Sequence, residues 1–169
     1  ELGIGYEVTV TEKVDLSSLL KELQKTMDAR VKEKKLLLTI LVPETPLLVE
    51  ANPKDMRKVF LNILDNAVTY TNTGSITVTG KEEDGKMEIS ITDTGIGVPQ
   101  KEQKDLFREF FRATNAIVGK NVGTGLGLFI VKTIVQAHGG TVRVESEENK
   151  GTTCIISLPK QHTKAVQAA

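Results

Sequence analysis

NPKDMRKVFLNILDNAVTY, residues Asn52–Tyr70, reads as a helix whose start and buried face are both visible in the sequence. Asn52 suits the N-cap, Pro53 the first helical position, and Asp55 puts a carboxylate near the positive end of the dipole. Met56, Val59, Phe60, Ile63, Leu64 and Ala67 recur at i, i+3, i+4 and i+7, which makes one apolar stripe. Asn62 and Asn66 lie four apart on a flank of that stripe. Asparagine is a middling helix former, so two of them beside a core-facing stripe ask for a reason. Two readings stand. In one they are half-exposed and bond neighbouring backbone. In the other their oxygens line a wet pocket and help hold a hard cation such as Mg²⁺.

On the N-terminal side, Tyr6, Val8 and Val10 alternate with polar residues and predict a short half-exposed strand. Asp15 then caps a helix with core positions Leu16, Leu19, Leu20, Leu23 and Met27, ended by the basic run Lys32 to Lys35. Leu36 to Val42 is strand-like and stops at Pro43, and Leu47 to Ala51 reads as another short strand.

On the C-terminal side, Thr73-Gly74 makes a turn into the alternating Ser75–Thr79, and Asp84-Gly85 marks a hairpin into Met87, Ile89 and Ile91. Counting in twos puts Asp93 on the face of that apolar row, where a carboxylate is costly without a dedicated donor. Gly95 and Gly97 follow and let backbone approach something closely. A carboxylate accepting from an exocyclic amine beside bare backbone suits a purine; an Asp-Thr-Gly turn that merely ends a strand fits equally. Pro99 to Phe111 predicts a helix with Leu106/Phe110 and Phe107/Phe111 pairs, Phe107 and Phe110 being core. Arg108 and Arg112 are either phosphate contacts or solvated charges. Ala113 to Gly123 is aperiodic, as lids often are. Gly123 to Leu128, GTGLGL, leads into a helix with Leu126, Ile130, Val131, Ile134, Val135 and His138 on one side and Gly139-Gly140 as its stop. Glycines entering a helix N-terminus suit a phosphate. The spacing is neither a Walker loop nor a Rossmann fingerprint. Val142/Val144 and Ile156/Leu158 make a last hairpin around Asn149–Gly151, and Gln161 to Ala169 reads as a frayed tail.

Helices and strands are mixed, with hairpins late in the chain, which predicts an α+β sandwich: one layer of helices on a mixed, mostly antiparallel sheet. The 169 residues fit one domain. Lys plus Arg and Asp plus Glu both total 22, which argues against a nucleic-acid surface or an acidic tail. Cys154 is the only cysteine, so no internal disulfide framework exists and a reducing compartment is expected. No apolar run approaches the ~20 residues of a membrane span, and the chain opens at Glu1 in mid-pattern, as a fragment of a longer protein would.

Four elements now stand in order: an Asn-x-x-x-Asn helix, DTGIG, a Phe-rich segment and GTGLGL. Together they closely resemble the N, G1, F and G2 boxes of the catalytic, ATP-binding domain of sensor histidine kinases, in the GHKL superfamily. The boxes match Arg57–Tyr70, Asp93–Gly97, Phe107–Arg112 and Gly123–Leu128, and the resemblance runs from about Val14 to Pro159. It implies a two-layer Bergerat-type sandwich that binds ATP under a lid. By that likeness Asp93 takes the adenine amino group, Gly95 and Gly97 shape the base pocket, and Thr152 supports it. Asn66 with Asn62 coordinates Mg²⁺, and Asn62 and Arg112 are the catalytic candidates. Tyr70 stacks near base or ribose, and Arg112 reaches the γ-phosphate. Gly123, Thr124, Gly125, Leu126, Gly127 and Leu128 wrap the phosphates.

Thr69 departs from the pattern, since many relatives carry Lys there; Arg112, Lys120 or Mg²⁺ is expected to compensate. Asn62 also stands where gyrase- and chaperone-type relatives carry a Glu base, which favours phosphoryl transfer to a partner over hydrolysis. The phosphoacceptor is absent, because His138 reads as a packed structural histidine and His162 lies in the tail. The likeness therefore implies the ATP-binding half of a cytoplasmic kinase, monomeric by itself and without membrane contact. The parent protein's membrane anchoring stays open. Its partners would be a phosphoacceptor and dimerisation hairpin and a response-regulator receiver domain. Residues 1–14 would lead in from that hairpin, 15–160 form the domain, and 161–169 trail. A nucleotide-binding docking module without kinase activity and a GHKL ATPase are the alternatives.

Overall fold

The structure, a computed structural model, describes residues 6–118 and 127–161. In chain order the elements are β1 (Glu12–Asp15), α1 (Leu16–Glu33), β2 (Leu37–Leu41), β3 (Leu48–Ala51), α2 (Pro53–Tyr70), β4 (Ser75–Glu83), β5 (Lys86–Asp93), a 3₁₀ turn (Gln100–Asp105), α3 (Thr114–Val118), α4 (Gly127–Ala137), β6 (Thr141–Glu147) and β7 (Gly151–Pro159). The main sheet has the order β2-β4-β5-β7-β6, with β2 parallel to β4 and every other neighbour antiparallel. β1 and β3 form a separate antiparallel pair. This is the expected α+β sandwich, with α1, α2 and α4 sharing one core with the sheet.

Each layer follows from local sequence. Asp15 caps α1 by accepting from the Ser17 amide, and Asn52 caps α2 by accepting from the Asp55 amide at 3.0 Å. The apolar stripe of α2 is buried along its length, as are Leu16, Leu19, Leu20, Leu23 and Met27 of α1. Met87, Ile89 and Ile91 of β5 are buried in alternation, and Cys154, Ile156 and Leu158 of β7 face the same core. The α2 cap is fixed from outside as well. His138 follows the last turn of α4, is 2% exposed, and accepts from the Asn52 amide at 3.2 Å through Nε2. Its Nδ1–H donates to the Ile134 carbonyl at 2.8 Å, so the ring is the neutral Nδ1–H tautomer. It is the packed histidine that its place in the apolar row predicts.

Three expectations are corrected. Tyr6–Val10 is not a strand; the strand begins at Glu12 because β3 offers partners only to Glu12–Asp15. The segment before it is held by side chains instead: Tyr6 donates to Asp55, and Asn52 Nδ2 donates to the Val10 carbonyl at 3.0 Å. Pro99–Phe111 is not an α-helix. Its amides reach back three residues, as in Glu102 to Pro99 and Leu106 to Gln103, and Phe110 has φ 63. The i, i+4 pairs therefore never align. Phe110 is 67% exposed rather than core, while Phe107 is half-buried beneath the Lys132 ammonium at 5.3 Å. Within the stretch expected to be aperiodic, Thr114–Val118 forms α3, started by Glu102 accepting from the Thr114 amide and hydroxyl. Residues 119–123 of that stretch, with the tail from His162, lie outside the described residues. No helix among the described residues is long and apolar enough to cross a membrane.

Candidate functional site

A cavity of about 500 Å³ opens between α2, the ends of β5 and β7, and the segment running from Ile96 to α3. The flank of α2 supplies Asn62, Asp65, Asn66, Thr69 and Tyr70, which helical spacing puts in one row along the wall. Ile91, Asp93, Thr152 and Cys154 make the floor. Arg112 and Ala113, before α3, and Gly127 and Leu128, at the start of α4, complete the lining.

Asp93 is the best-defined group in the site. Its Oδ1 accepts from the Gly95 amide at 2.9 Å and the Thr152 amide at 3.2 Å. Its Oδ2 takes part in neither bond, which leaves an acceptor on a residue that lines the cavity. Burial raises the carboxyl's pKa above its ordinary value, opposed by those two amides. The desolvation also acts on Cys154, two residues beyond Thr152 on the same face. Burial, and then the charge of Asp93, push its thiol up to about 12.

The two glycines of the loop are needed for different reasons. A Cβ on Gly95 would fall against the Tyr70 carbonyl and stand 2.9 Å from Asp93 Oδ1. Gly97 has φ +65, and a Cβ there would collide with the Glu147 carbonyl. The loop is thus pressed between α2 and the β6–β7 turn, and Ile96 donates to the Tyr70 carbonyl at 3.0 Å. Gly127 meets Asn66 directly: an added Cβ would lie 3.1 Å from its Nδ2.

Asn62, Asn66, Thr69, Tyr70, Asp93, Gly97, Arg112, Gly127, Leu128 and Thr152 therefore gather round one cavity, with Gly95 bonded to its floor. Lys120, Gly123, Thr124, Gly125 and Leu126 lie outside the described residues. Sequence reasoning missed four contributors. Ser146 pairs in register with Thr152, meets its hydroxyl at 2.8 Å, and accepts from the Val98 amide at 2.9 Å. Asn115 donates to the Gly97 carbonyl at 2.8 Å. Cys154 sits in the floor. Arg30, on α1, engages Asp65 and Thr69. Ser146 and Cys154 were accessible by counting through the last hairpin in twos; nothing local marks Asn115 or Arg30.

A family described as histidine kinase-, DNA gyrase B- and HSP90-like ATPase matches residues 51–162. The chain belongs to that ATPase family. Its likeness to curated proteins runs to sensor kinases. The chain is 34% identical over 164 residues to the circadian input-output histidine kinase CikA of Synechococcus elongatus, covering 95% of this chain and 22% of that protein. It is 40% identical over 121 residues to the sensor histidine kinase WalK of Bacillus subtilis, covering 70% and 20%. The chain thus spans about a fifth of these relatives' length. Among solved structures, the nucleotide-free catalytic domain of histidine kinase ThkA matches with a TM-score of 0.79 and 25% identity, covering 92% of this chain and 99% of that one. Full-length ShkA in complex with AMPPNP matches with a TM-score of 0.80 and 29% identity, covering 95% of this chain and 34% of that one. Within the ATPase family, the chain is a catalytic ATP-binding domain of the sensor histidine kinase type.

Proposed function

We propose that the chain binds Mg²⁺-ATP in this cavity and presents the γ-phosphoryl group to a histidine on a separate hairpin domain of its parent protein. A response-regulator receiver domain would then take the phosphoryl group from that histidine. The observation that carries this reading is Asp93, whose Oδ1 is held by two backbone amides at the cavity floor. The remaining acceptor suits the exocyclic amine of adenine. Gly95, Gly97 and Thr152 keep that carboxylate and the base edge in place, and Tyr70 offers its ring beside them. Leu128, Gly127 and the preceding Gly123, Thr124, Gly125 and Leu126 are assigned to the phosphates, with Lys120, Thr69 and Arg112.

The residues present fit a metal that arrives with its ligand. No three His, Cys, Asp or Glu side chains gather into a metal cluster among the described residues. The α2 flank offers amide oxygens from Asn62 and Asn66, and Asp65 is engaged by Arg30. Mg²⁺ commonly takes few protein oxygens alongside phosphates and water. Asn66, with Asn62, would hold it, and the ion would neutralise phosphate charge when bound. Asn62 has no basic carboxylate to take a proton from an attacking water, which supports transfer over hydrolysis. His138 is buried with both ring nitrogens hydrogen-bonded, which argues against it as the acceptor, and this reading puts the acceptor histidine on another domain. The same reading assigns residues 15–160 to the domain, with 1–14 leading in and 161–169 trailing. It also carries a cytoplasmic location and a monomeric isolated chain.

The test is incubation with γ-labelled ATP, with and without a separately made phosphoacceptor hairpin from the same parent protein. Label is expected on the hairpin only, acid-labile and base-stable, with slow phosphate release by the chain alone. Acid-labile phosphate mapped to His138, or rapid hydrolysis by the chain alone, would refute it.

A further inference from the structure

Thr69 faces the cavity where the histidine-kinase resemblance leads one to expect lysine, so one phosphate-directed charge is missing from α2 itself. The same wall carries Asp65, whose carboxylate would repel a triphosphate. The last turn of a helix adds partial negative charge from its free carbonyls. Left alone, this end of the cavity is the wrong sign for the proposed ligand.

Two side chains from α1 correct that. Lys34 Nζ donates to the Val68 carbonyl at 2.6 Å and the Thr69 carbonyl at 3.2 Å, covering the exposed end of α2. Burial, and then the charge of Arg30, push the Lys34 ammonium's pKa down. Arg30 bridges the two cavity-lining positions: NH1 donates to Asp65, and NH2 donates to Thr69 Oγ1 at 3.1 Å. A guanidinium has five N–H donors, so these two bonds leave others for an incoming oxyanion.

We infer that Arg30 of α1 is a phosphate-positioning residue of this site, replacing the charge absent at Thr69 and masking Asp65 from the nucleotide's phosphates. The inference rests on the ATP reading of the cavity. It assigns the compensating charge to an element that neither the glycine-rich run nor the Asn-bearing helix contains. Arg112 also lines the cavity, from the segment leading to α3. Arg30 donates to the Thr69 hydroxyl, while Lys34 donates to the Thr69 carbonyl.

The experiment titrates the full chain with ATP and with adenosine, for the wild type, Arg30→Gln, Arg30→Lys and the double variant Arg30→Gln/Thr69→Lys. Arg30 and Asp65 are 43% and 51% exposed, so solvent screens their pairing and a modest effect is expected. Arg30→Gln should weaken ATP about five- to tenfold, leave adenosine unchanged, and flatten the dependence of ATP affinity on salt. Arg30→Lys should recover part of the loss, and Thr69→Lys in the Arg30→Gln background most of it. Equal loss for ATP and adenosine would show a merely structural contact between α1 and α2 and overturn the inference. So would unchanged ATP affinity in folded Arg30→Gln. If the folded wild type binds neither ligand, the ATP reading falls, and that outcome is separate from the ratio between the variants.

Discussion

Replacing Asp93 by Asn isolates one atom of the site. Oδ1 already accepts from the Gly95 and Thr152 amides, so the amide oxygen of an asparagine is driven into that position. Its NH₂ then occupies the place of Oδ2, and the cavity-facing acceptor becomes a donor. Loss of a hydrogen bond to a charged group costs about 1.5–3 kcal/mol, so ATP affinity is expected to fall roughly ten- to a hundredfold. Inosine triphosphate carries a carbonyl where ATP has the amine, so it should lose little or gain. The ATP preference over it should then narrow by at least about tenfold.

The fold is expected to survive. Burial raises the Asp93 pKa above its unfolded value, so its stabilising contribution is complete below the ordinary carboxylate pKa of 3.8 and lost as pH rises through the folded value. Above the folded value the ionised group is the form less favourable to folding, and an uncharged isostere avoids that cost. Protonation also removes the ligand acceptor. Wild-type ATP affinity should therefore drop on acidification at a pH above 3.8, while Asp93→Asn shows no such step. Calorimetric titration with both nucleotides across pH, alongside thermal melting, measures each part. A folded variant with wild-type ATP affinity and no shift towards inosine triphosphate would remove Asp93 from the base site.

Asn66→Ala should lower ATP affinity roughly tenfold with Mg²⁺ and much less with the metal chelated, as paired titrations would measure; equal losses would make Asn66 structural. His138→Ala breaks two hydrogen bonds, empties buried volume and frees the α2 cap. It should destabilise the fold by about 2–4 kcal/mol, or roughly 5–15 °C in Tm by calorimetry. Cys154, with its thiol pushed up to about 12 from 9.0, should alkylate at least about a thousandfold more slowly than a free thiol at neutral pH, until denaturant unfolds the chain. Fast alkylation of the folded protein, followed by mass spectrometry, would contradict its burial.

What the sequence determined by itself is the set of features governed by neighbours along the chain. The α2 cap and stripe, the alternation of β5 ending in Asp93, and the Asp84-Gly85 turn each depend on spacings of two to four residues. Those spacings are legible because helix and strand periods are fixed by backbone geometry. The same locality explains the errors. Tyr6–Val10 alternates like a strand, yet a strand exists only where a partner lies alongside, and β3 serves only Glu12–Asp15. Phe107, Phe110 and Phe111 are spaced for a helix, but positive φ at Phe110 breaks it and turns that ring to solvent. Only the tertiary structure could join Ser146 to Val98, bring Asn115 to the Gly97 carbonyl, or carry Arg30 across from α1 to Thr69. Those contacts join residues whose approach is set by how the helices and the last hairpin pack, and no short-range pattern records that.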